Sequence, residues 1–459
     1  MKTVTTPSTN THESIQKNRD HGIGEEDRPS MMSNVHLSIC TERSEWIDLM
    51  DSWSELAVKS GQTIYMSPEW ALTWWDHFGE NKDRQLHIGV MTVGDRLVGI
   101  LPFYKGVSRI GTTVIEERLQ LIGSGGNSNE RFGFSDDYGI SDFLDFIVDP
   151  EFNETVSELF VSLLQTPDYA ACRLTLHQLR EDSYIIQHVL PLLDRCGRTI
   201  KIDTTDTCPY IELAGIPSIE TYIKKQKSNA RRRLRQARSA FDTDANYHME
   251  AAESDRDLET MLDELIRLHQ ERWNRMGFPG VFYNPRFRSF FTDITHRLYS
   301  KNQVWIRQTR DEEGISSIRM AILYNNRYFD YMSGFDNNSP STTYRPGIGL
   351  LLNLVEHSLN TSVERIDLLR GEEPYKYDFT QKNFTNRKIS ISPVPANSVR
   401  HRLLVPLLHS LSWIHTHVLK EWTLLDVQYR TAGLSGMIQG YVKFRFRTLQ
   451  NKLSGDERS

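Results

Sequence analysis

The sequence predicts a mixed α/β chain of the α+β type in which one structural module is used twice. Three observations carry this expectation. Helical patterns come in pairs, at 46–57 and 68–78 and again at 223–241 and 258–273. Each pair leads into strand-like runs closed by turn residues: Gly94-Asp95 joins 86–93 to 96–104, and Asn325-Asn326 joins 317–324 to 328–334. Each half then ends on a helix followed by a strand, 154–164 with 172–177 and 348–359 with 365–369.

In the first half, Ser67 suits an N-cap and Pro68 the first helical position of the second helix. Further strands are expected at 117–122 and 143–148, and Pro209 with the apolar run 210–213 reads as a last strand before a junction at Gly215-Ile216-Pro217. The boundaries that follow are a first domain over 36–213 and a second over 216–395. The second opens with a basic helix whose apolar stripe runs Ile223, Ala230, Leu234, Ala237, Phe241. The next helix repeats the pattern with Leu258, Leu262, Leu265, His269 and Trp273, and a strand is expected at 304–309. Residues 1–34 are polar without a signal-like apolar core and read as a disordered leader. Residues 396–459 read as a helical, basic tail ending in the alternating run Tyr441-Val442-Lys443-Phe444-Arg445-Phe446.

Composition narrows the function classes. Lys and Arg total 54 against 60 Asp and Glu, a net charge of −6, so the chain lacks the basic excess of a protein that coats nucleic acid. A hydrophobic share of 38% with 9 Trp, 18 Tyr and 20 Phe is enough for a substantial core. The four cysteines, Cys40, Cys172, Cys196 and Cys208, have no C-x-x-C spacing, which predicts neither a zinc site nor a disulfide framework and fits a reducing, cytoplasmic setting. Histidine spacing offers no metal site either, so none is expected. The apolar stretch 403–419 is broken by Pro406, His409, Ser410, Ser412, His415, Thr416 and His417. A spanning helix needs about 20 mostly apolar residues, so the expectation is a soluble chain or one attached to a membrane surface.

Four segments carry candidate chemistry. Tyr331 to Asp336 followed by Tyr344-Arg345-Pro346-Gly347-Ile348-Gly349 reads as strand, loop and helix start, an arrangement whose backbone N–H groups and dipole favour phosphate; its ordinary alternative is a plain turn with Gly at a helix start. Asp367 to Lys376 follows a strand's end and is dense in functional groups: Tyr375 suits protonation of a leaving thiolate, and Asp367 or a Glu suits taking a substrate proton. A surface ion-pair network around Arg370 is the alternative there. His269 lies on the apolar side of its helix, one turn before Trp273, as a core residue or a catalytic one. Lys224, Lys225, Lys227, Arg231, Arg232, Arg233, Arg235 and Arg238 crowd one helix, as a solvated face or an anion-binding one. No G-x-S-x-G elbow or Walker lysine occurs, which argues against serine hydrolases and NTPases. Gly123-Ser-Gly-Gly-Asn127 lies in the corresponding part of the first half without a following helix, as a loop that binds nothing.

In combination these residues resemble the CelD/BcsL-like group of the GNAT acyltransferase superfamily, related to the FemAB aminoacyl transferases. The carriers are Ser67-Pro-Glu-Trp70, Trp74-Trp75 and Leu97-Val-Gly-Ile-Leu-Pro102, then Leu268-His-Gln-Glu-Arg-Trp273, Gly277, Ser333-Gly-Phe-Asp336, Pro346-Gly-Ile-Gly349 and 367–376, over roughly residues 40–390. The resemblance implies tandem GNAT-like domains and transfer of an acetyl or acyl group from acyl-CoA, as co-substrate rather than tightly bound cofactor, to a hydroxyl or amine. It implies a glycan or small-molecule acceptor, a role in exopolysaccharide or cellulose production alongside membrane-associated synthesis machinery, and a place in the cytoplasm or peripheral to the inner membrane. On the matching motifs it assigns His269, Asp367 and Tyr375 to catalysis, with His269 or Asp367 as base. Donor contacts fall on Arg345, Gly347, Ile348 and Gly349, and acceptor contacts on Arg272, Trp273, Asp336, Arg370, Glu373 and Lys376. The usual GNAT loop reads Gln/Arg-x-x-Gly-x-Gly/Ala, whereas here Arg345 precedes Gly347 by two positions. Two other classes stay open: an aminoacyl transferase using charged tRNA, the one reading that involves nucleic acid, and a non-catalytic scaffold of a polysaccharide synthesis complex that binds partners through its tail.

Overall fold

The computed structural model describes residues 35–79, 81, 83–110, 112–125, 140–244, 246–276 and 278–394, and in the tail 407, 410, 414, 418, 421–430 and 433. The leader, Gly126-Asn127, Gly277 and the run 441–446 lie outside the described residues.

The first half contains β1 (His36–Cys40), α1 (Arg43–Asp48), α2 (Met50–Lys59), α3 (Pro68–Trp74), β2 (Arg84–Val93), β3 (Arg96–Ile110), β4 (Thr113–Leu121), β5 (Ile147–Val148), α4 (Asn153–Gln165), α5 (Pro167–Ala170), β6 (Arg173–Arg180) and β7 (Ile200–Glu212). The second contains α6 (Ile219–Lys225), α7 (Ser228–Thr243), β8 (His248–Ala251), α8 (Asp255–Arg275), α9 (Pro285–Tyr299), β9 (Val304–Asp311), β10 (Gly314–Tyr324), β11 (Arg327–Phe335), α10 (Pro346–Leu359), β12 (Arg365–Asp367) and β13 (Asn383–Ile391).

All strands join one sheet in the order β1-β2-β3-β4-β6-β13-β7-β12-β11-β10-β9-β8, with β5 pairing β3 off this path. In each half four antiparallel strands lead to a fifth that pairs parallel with the fourth, β4 with β6 and β11 with β12. A parallel pair needs a crossover, and α4 and α10 supply it. The two halves then exchange their last strands: β7, from the first half, pairs β12 of the second, and β13, from the second, pairs β6 of the first. β7 and β13 meet antiparallel at the sheet's centre from Asn383 opposite Pro209 to Ile391 opposite Ile200. The tandem use of one α/β module is therefore present, with each copy completed by the other.

Local chemistry explains the elements that position the site. Ser67 caps α3 by accepting the Trp70 N–H, with Pro68 at the first helical position. Asn325 and Asn326 both take positive φ, 48° and 56°, the turn that matches the twist of β10 and β11. The expected helix over 223–241 is two helices, because Gln226 is extended and α6 turns to seat the buried Tyr222, whose hydroxyl donates to the Phe379 carbonyl at 2.6 Å. The expected strand at 143–148 shrinks to Ile147–Val148, since Phe143 takes φ 53° and leaves the extended region. β1, β8, β13, α9 and most of β7 have no counterpart among the sequence expectations.

One aromatic core crosses between the halves. Trp70 of α3 packs edge-on against Phe290 of α9 and Tyr331 of β11, with ring centroids 5.2 and 5.3 Å apart, and Tyr65 meets Phe329 at 5.7 Å. Asn325 also donates to the Gln62 carbonyl at 3.0 Å. Strand exchange and a shared core bind the two modules into a single cooperative unit, so scanning calorimetry should show one unfolding transition. Two resolved transitions, or an independently folded fragment 36–215, would contradict this.

Candidate active site

β11 and β12 pair only from Arg327–Arg365 to Phe329–Asp367. β11 continues to Phe335 paired with β10 but no longer with β12, while the chain leaves β12 through Leu369 at φ 58°, so the two strands diverge and open a wedge. The wedge holds a cavity of about 290 Å³. Asp330, Tyr331, Met332 and Ser333 form one wall, and Leu368, Leu369 and Arg370 the other. α8 contributes His269, Arg272 and Trp273, the following loop Glu373, Tyr375 and Lys376, and the first half Ile140 and Asp142. Gly334 lets α8 lie this close to β11, since a Cβ there would sit 2.9 Å from Leu268 and 3.0 Å from the Leu265 carbonyl.

Seven of the nominated residues, His269, Arg272, Trp273, Arg370, Glu373, Tyr375 and Lys376, thus line one cavity. Asp367 does not: it is buried against β7 and β11, its oxygens have no hydrogen-bond partner among the described residues, and burial raises its pKa. Asp336 closes a turn by accepting the Asn338 N–H at 2.8 Å and is 3.7 Å from Arg275.

Within the cavity the roles differ. Trp273 donates its indole N–H to His269 Nε2 at 2.9 Å, so the neutral ring carries its proton on Nδ1. Burial, with the Arg272 charge adding, pushes the His269 pKa down to about 4. Lys376 is 3% exposed and donates to the carbonyls of Leu369, Arg370 and Gly371 at 3.3, 2.8 and 3.2 Å, with Glu373 at 2.9 Å, so its ammonium fixes the loop's shape. Arg370 pairs with Asp142 at 2.9 Å and ties the loop to the first half. Burial pushes Tyr375 up to about 12, against the pull of the Arg319 charge, so its phenol is protonated at neutral pH. Arg272 stacks over the Phe335 ring at 4.5 Å, and no carboxylate lies within 4 Å of it among the described residues; burial lowers its pKa.

Arg319 has no place among the sequence expectations. Buried in β10, it pairs with Asp330, lies 5.8 Å over the Tyr375 ring and donates to the Gly347 carbonyl at 3.3 Å, joining the cavity to the start of α10. A lone charge inside each of two apolar runs, 314–324 and 328–335, flanking one turn was the signal available for Arg319 and Asp330. At the α10 start Arg345 is exposed and takes φ 58° as N-cap. The amides of Ile348 and Gly349 bond the Arg345 carbonyl at 2.9 and 3.1 Å and Pro346 has none, so Gly347 supplies the first-turn amide left for an anion. A Cβ at Gly347 would meet nothing within 4 Å, whereas one at Gly349 would press on Phe241 at 3.2 Å. Gly347 fits the anion cradle; Gly349 serves the packing of α7 on α10.

The sequence matches the acetyltransferase (GNAT) domain family over residues 228–377, from the start of α7 to the loop after β12. No curated protein matches it. Among solved structures, FemX aligns over 76% of this chain and 98% of its own at 10% identity and a TM-score of 0.52. The C-terminal domain of a lysylphosphatidylglycerol synthetase from Agrobacterium fabrum aligns over 80% and 96% at 11% identity and 0.45. A tandem GNAT protein from the clavulanic acid biosynthesis pathway aligns over 78% and 98% at 9% identity and 0.37. At 10% identity the FemX likeness is one of fold. Among the described residues no group of three or more His, Cys, Asp or Glu is placed to hold a metal, and no helix is long and apolar enough to cross a membrane.

Two measurements probe this geometry. His269 and His87, both lowered to about 4 by burial, are neutral when folded and gain protons when unfolded below pH 6.5. The unfolded state then binds more protons between pH 6.5 and 4, so their contribution to stability is full above 6.5 and falls with pH through that window. Asp145, raised to about 6 by burial, works in the opposite sense from about pH 6 down through the rest of that window. His269→Gln should flatten the decline, a displacement of this size corresponding to roughly 3 kcal/mol, as followed by urea unfolding at stepped pH. Asp142→Asn should destabilise by about 3–5 kcal/mol by removing the carboxylate that pairs with Arg370, and Asp142→Leu with Arg370→Met should recover most of it. Equal loss in single and double variants would mean the pair itself is not what holds the loop. Residues 228–377 thus match a GNAT acetyltransferase domain, a family that uses acetyl-CoA as co-substrate, within a tandem α/β architecture.

Proposed function

We propose that this wedge transfers an acyl group from acyl-CoA to a hydroxyl or amine of an acceptor entering between the two halves. The observation that carries the reading is the divergence of β11 from β12 beside the start of α10, which puts a functional-group cluster next to an anion-binding helix end. The Gly347 amide, the α10 dipole and the exposed Arg345 suit the donor's pyrophosphate. Arg272, with no carboxylate within 4 Å among the described residues, suits a further anionic group. The acceptor's oxygen or nitrogen attacks the thioester carbon, the carbon–sulfur bond breaks, and the thiolate takes the Tyr375 proton. For the acceptor's proton we favour Glu373, half exposed at the cavity wall, over Asp367, which lies outside the cavity, and His269, whose Nε2 is engaged by Trp273. The CelD/BcsL resemblance supports a glycan acceptor in exopolysaccharide or cellulose production.

Acetyl-CoA at one hundred times its dissociation constant should stabilise the chain by about 2.7 kcal/mol and raise the melting temperature by a few degrees. Gly347→Val should abolish this shift without unfolding the free protein, since its side chain enters open space; Arg345→Ala should only weaken it. Tyr375→Phe and Glu373→Gln should keep the shift and lower turnover by about 10²–10⁴. An unshifted melting temperature with every acyl-CoA tried would overturn the reading.

A second reading, aminoacyl transfer from charged tRNA, has one observation in its favour. Lys224, Lys225, Lys227, Arg232 and Arg235 are all exposed along α6 and α7, a basic row suited to phosphates. Salt-sensitive tRNA retention without acetyl-CoA binding would move the assignment there.

A further inference from the structure

A second cavity, about 800 Å³, opens between α6, α7, α10 and the β8–β9 edge and shares no lining residue with the wedge. Arg307 of β9, partly buried, forms its floor. Its guanidinium, with five N–H donors, has one oxygen acceptor among the described residues, Asn353 Oδ1 at 3.0 Å, and a long contact of 3.9 Å to Met249 Sδ. No carboxylate lies within 4 Å of it there, and burial lowers its pKa. The two carboxylates that do line the cavity, Glu220 and Glu356, are both held by Arg238. Lys224 and Arg235 stand exposed at the mouth with no ion-pair partner among the described residues. Phe241 and Tyr247, stacked at 4.7 Å, and Met249 give the cavity an apolar wall. A bare inorganic ion would fill little of this volume, which lies within the range of small-molecule sites.

We infer that this cavity binds a phosphate ester of nucleotide size, its phosphate on Arg307, Lys224 and Arg235 and its body against Phe241, Tyr247 and Met249. Such a group has two sources: a free nucleotide, or the nucleotide end of a CoA donor. The site does not depend on the acyl-transfer reading, because none of its residues belongs to the wedge.

Calorimetric titration of the full chain with ADP and with 3′,5′-ADP at low salt tests the inference. One or both should bind, and Arg307→Gln should weaken binding about tenfold or more, the loss expected of a charge-assisted phosphate contact. Arg235→Glu, at an exposed position that leaves the fold intact, should weaken it as well and decides the matter if Arg307→Gln fails to fold. Tyr375→Phe, in the wedge, should leave it unchanged. Displacement of the nucleotide by CoA, with CoA itself weakened by Arg307→Gln, identifies the donor's end as the source, and simultaneous binding identifies a free nucleotide. Absence of binding to the parent protein, or unchanged affinity in the Arg307 and Arg235 variants, overturns the inference.

Discussion

β12 is three residues long, and everything in the wedge follows from what holds it in place. On one side it pairs with β11 and on the other with β7, a strand from the first half. Without β7 it would be an edge strand too short to stand alone. β7 also carries the loop beyond it: the Leu368 N–H bonds the Pro209 carbonyl at 2.9 Å and the Gly371 N–H bonds the Thr207 carbonyl at 3.1 Å. Lys376 then closes the same loop from within through its three carbonyl contacts. The first half is therefore more than one wall of a cleft. It sets the path of the residues that line it.

The two modules share a topology and differ where it counts. In both, a left-handed residue lies in or just after the fifth strand, Gln178 at φ 56° within β6 and Leu369 at φ 58° two residues past β12. In the first half the gap between β4 and β6 is taken by the chain itself. The Leu144 N–H bonds the Gln178 carbonyl at 3.0 Å, and Leu144 and Phe146 are fully buried. In the second half no described residue enters in a comparable way, and the gap is the wedge. One copy has spent its opening on its own core, which is why the candidate chemistry gathers in the other.

Much of this was legible in the sequence where the signal is local. Turn residues with positive φ fixed both hairpins, Ser67-Pro68 fixed the start of α3, and apolar spacing marked α8 and α10. The exchanged strands were not legible. β13 reads Asn-Phe-Thr-Asn-Arg-Lys-Ile-Ser-Ile and β7 begins Ile-Lys-Ile-Asp-Thr-Thr-Asp-Thr, polar runs whose strand character comes from pairing with each other across the chain. β1 and β8 are short edges, where the alternation has too few residues to register. For the site, residue types pointed to the loop and helix that line the cavity, yet depth did not follow from spacing. Asp367 and Arg370 are three positions apart, and one is buried within the sheet while the other lines the cavity, because the chain turns at Leu369 between them.

Charge balance in the wedge separates the residues that build it from those left to act. A buried cation is costly unless paired, and removing its partner is costlier still. Arg319 is answered by Asp330, Arg370 by Asp142, and Lys376 by three carbonyls and Glu373, so these groups hold strands and loop in register. Among the described residues Arg272 has an aromatic ring in contact and no carboxylate within 4 Å, and its desolvation is only partly offset by that ring and by the more distant Glu373. A neutral acyl group would gain nothing from it. An anionic group placed there recovers the Coulomb energy that the fold leaves unused. On the proposed acyl-transfer reading, electrostatic affinity in the wedge would rest on Arg272 more than on neighbours whose charges are paired within the fold.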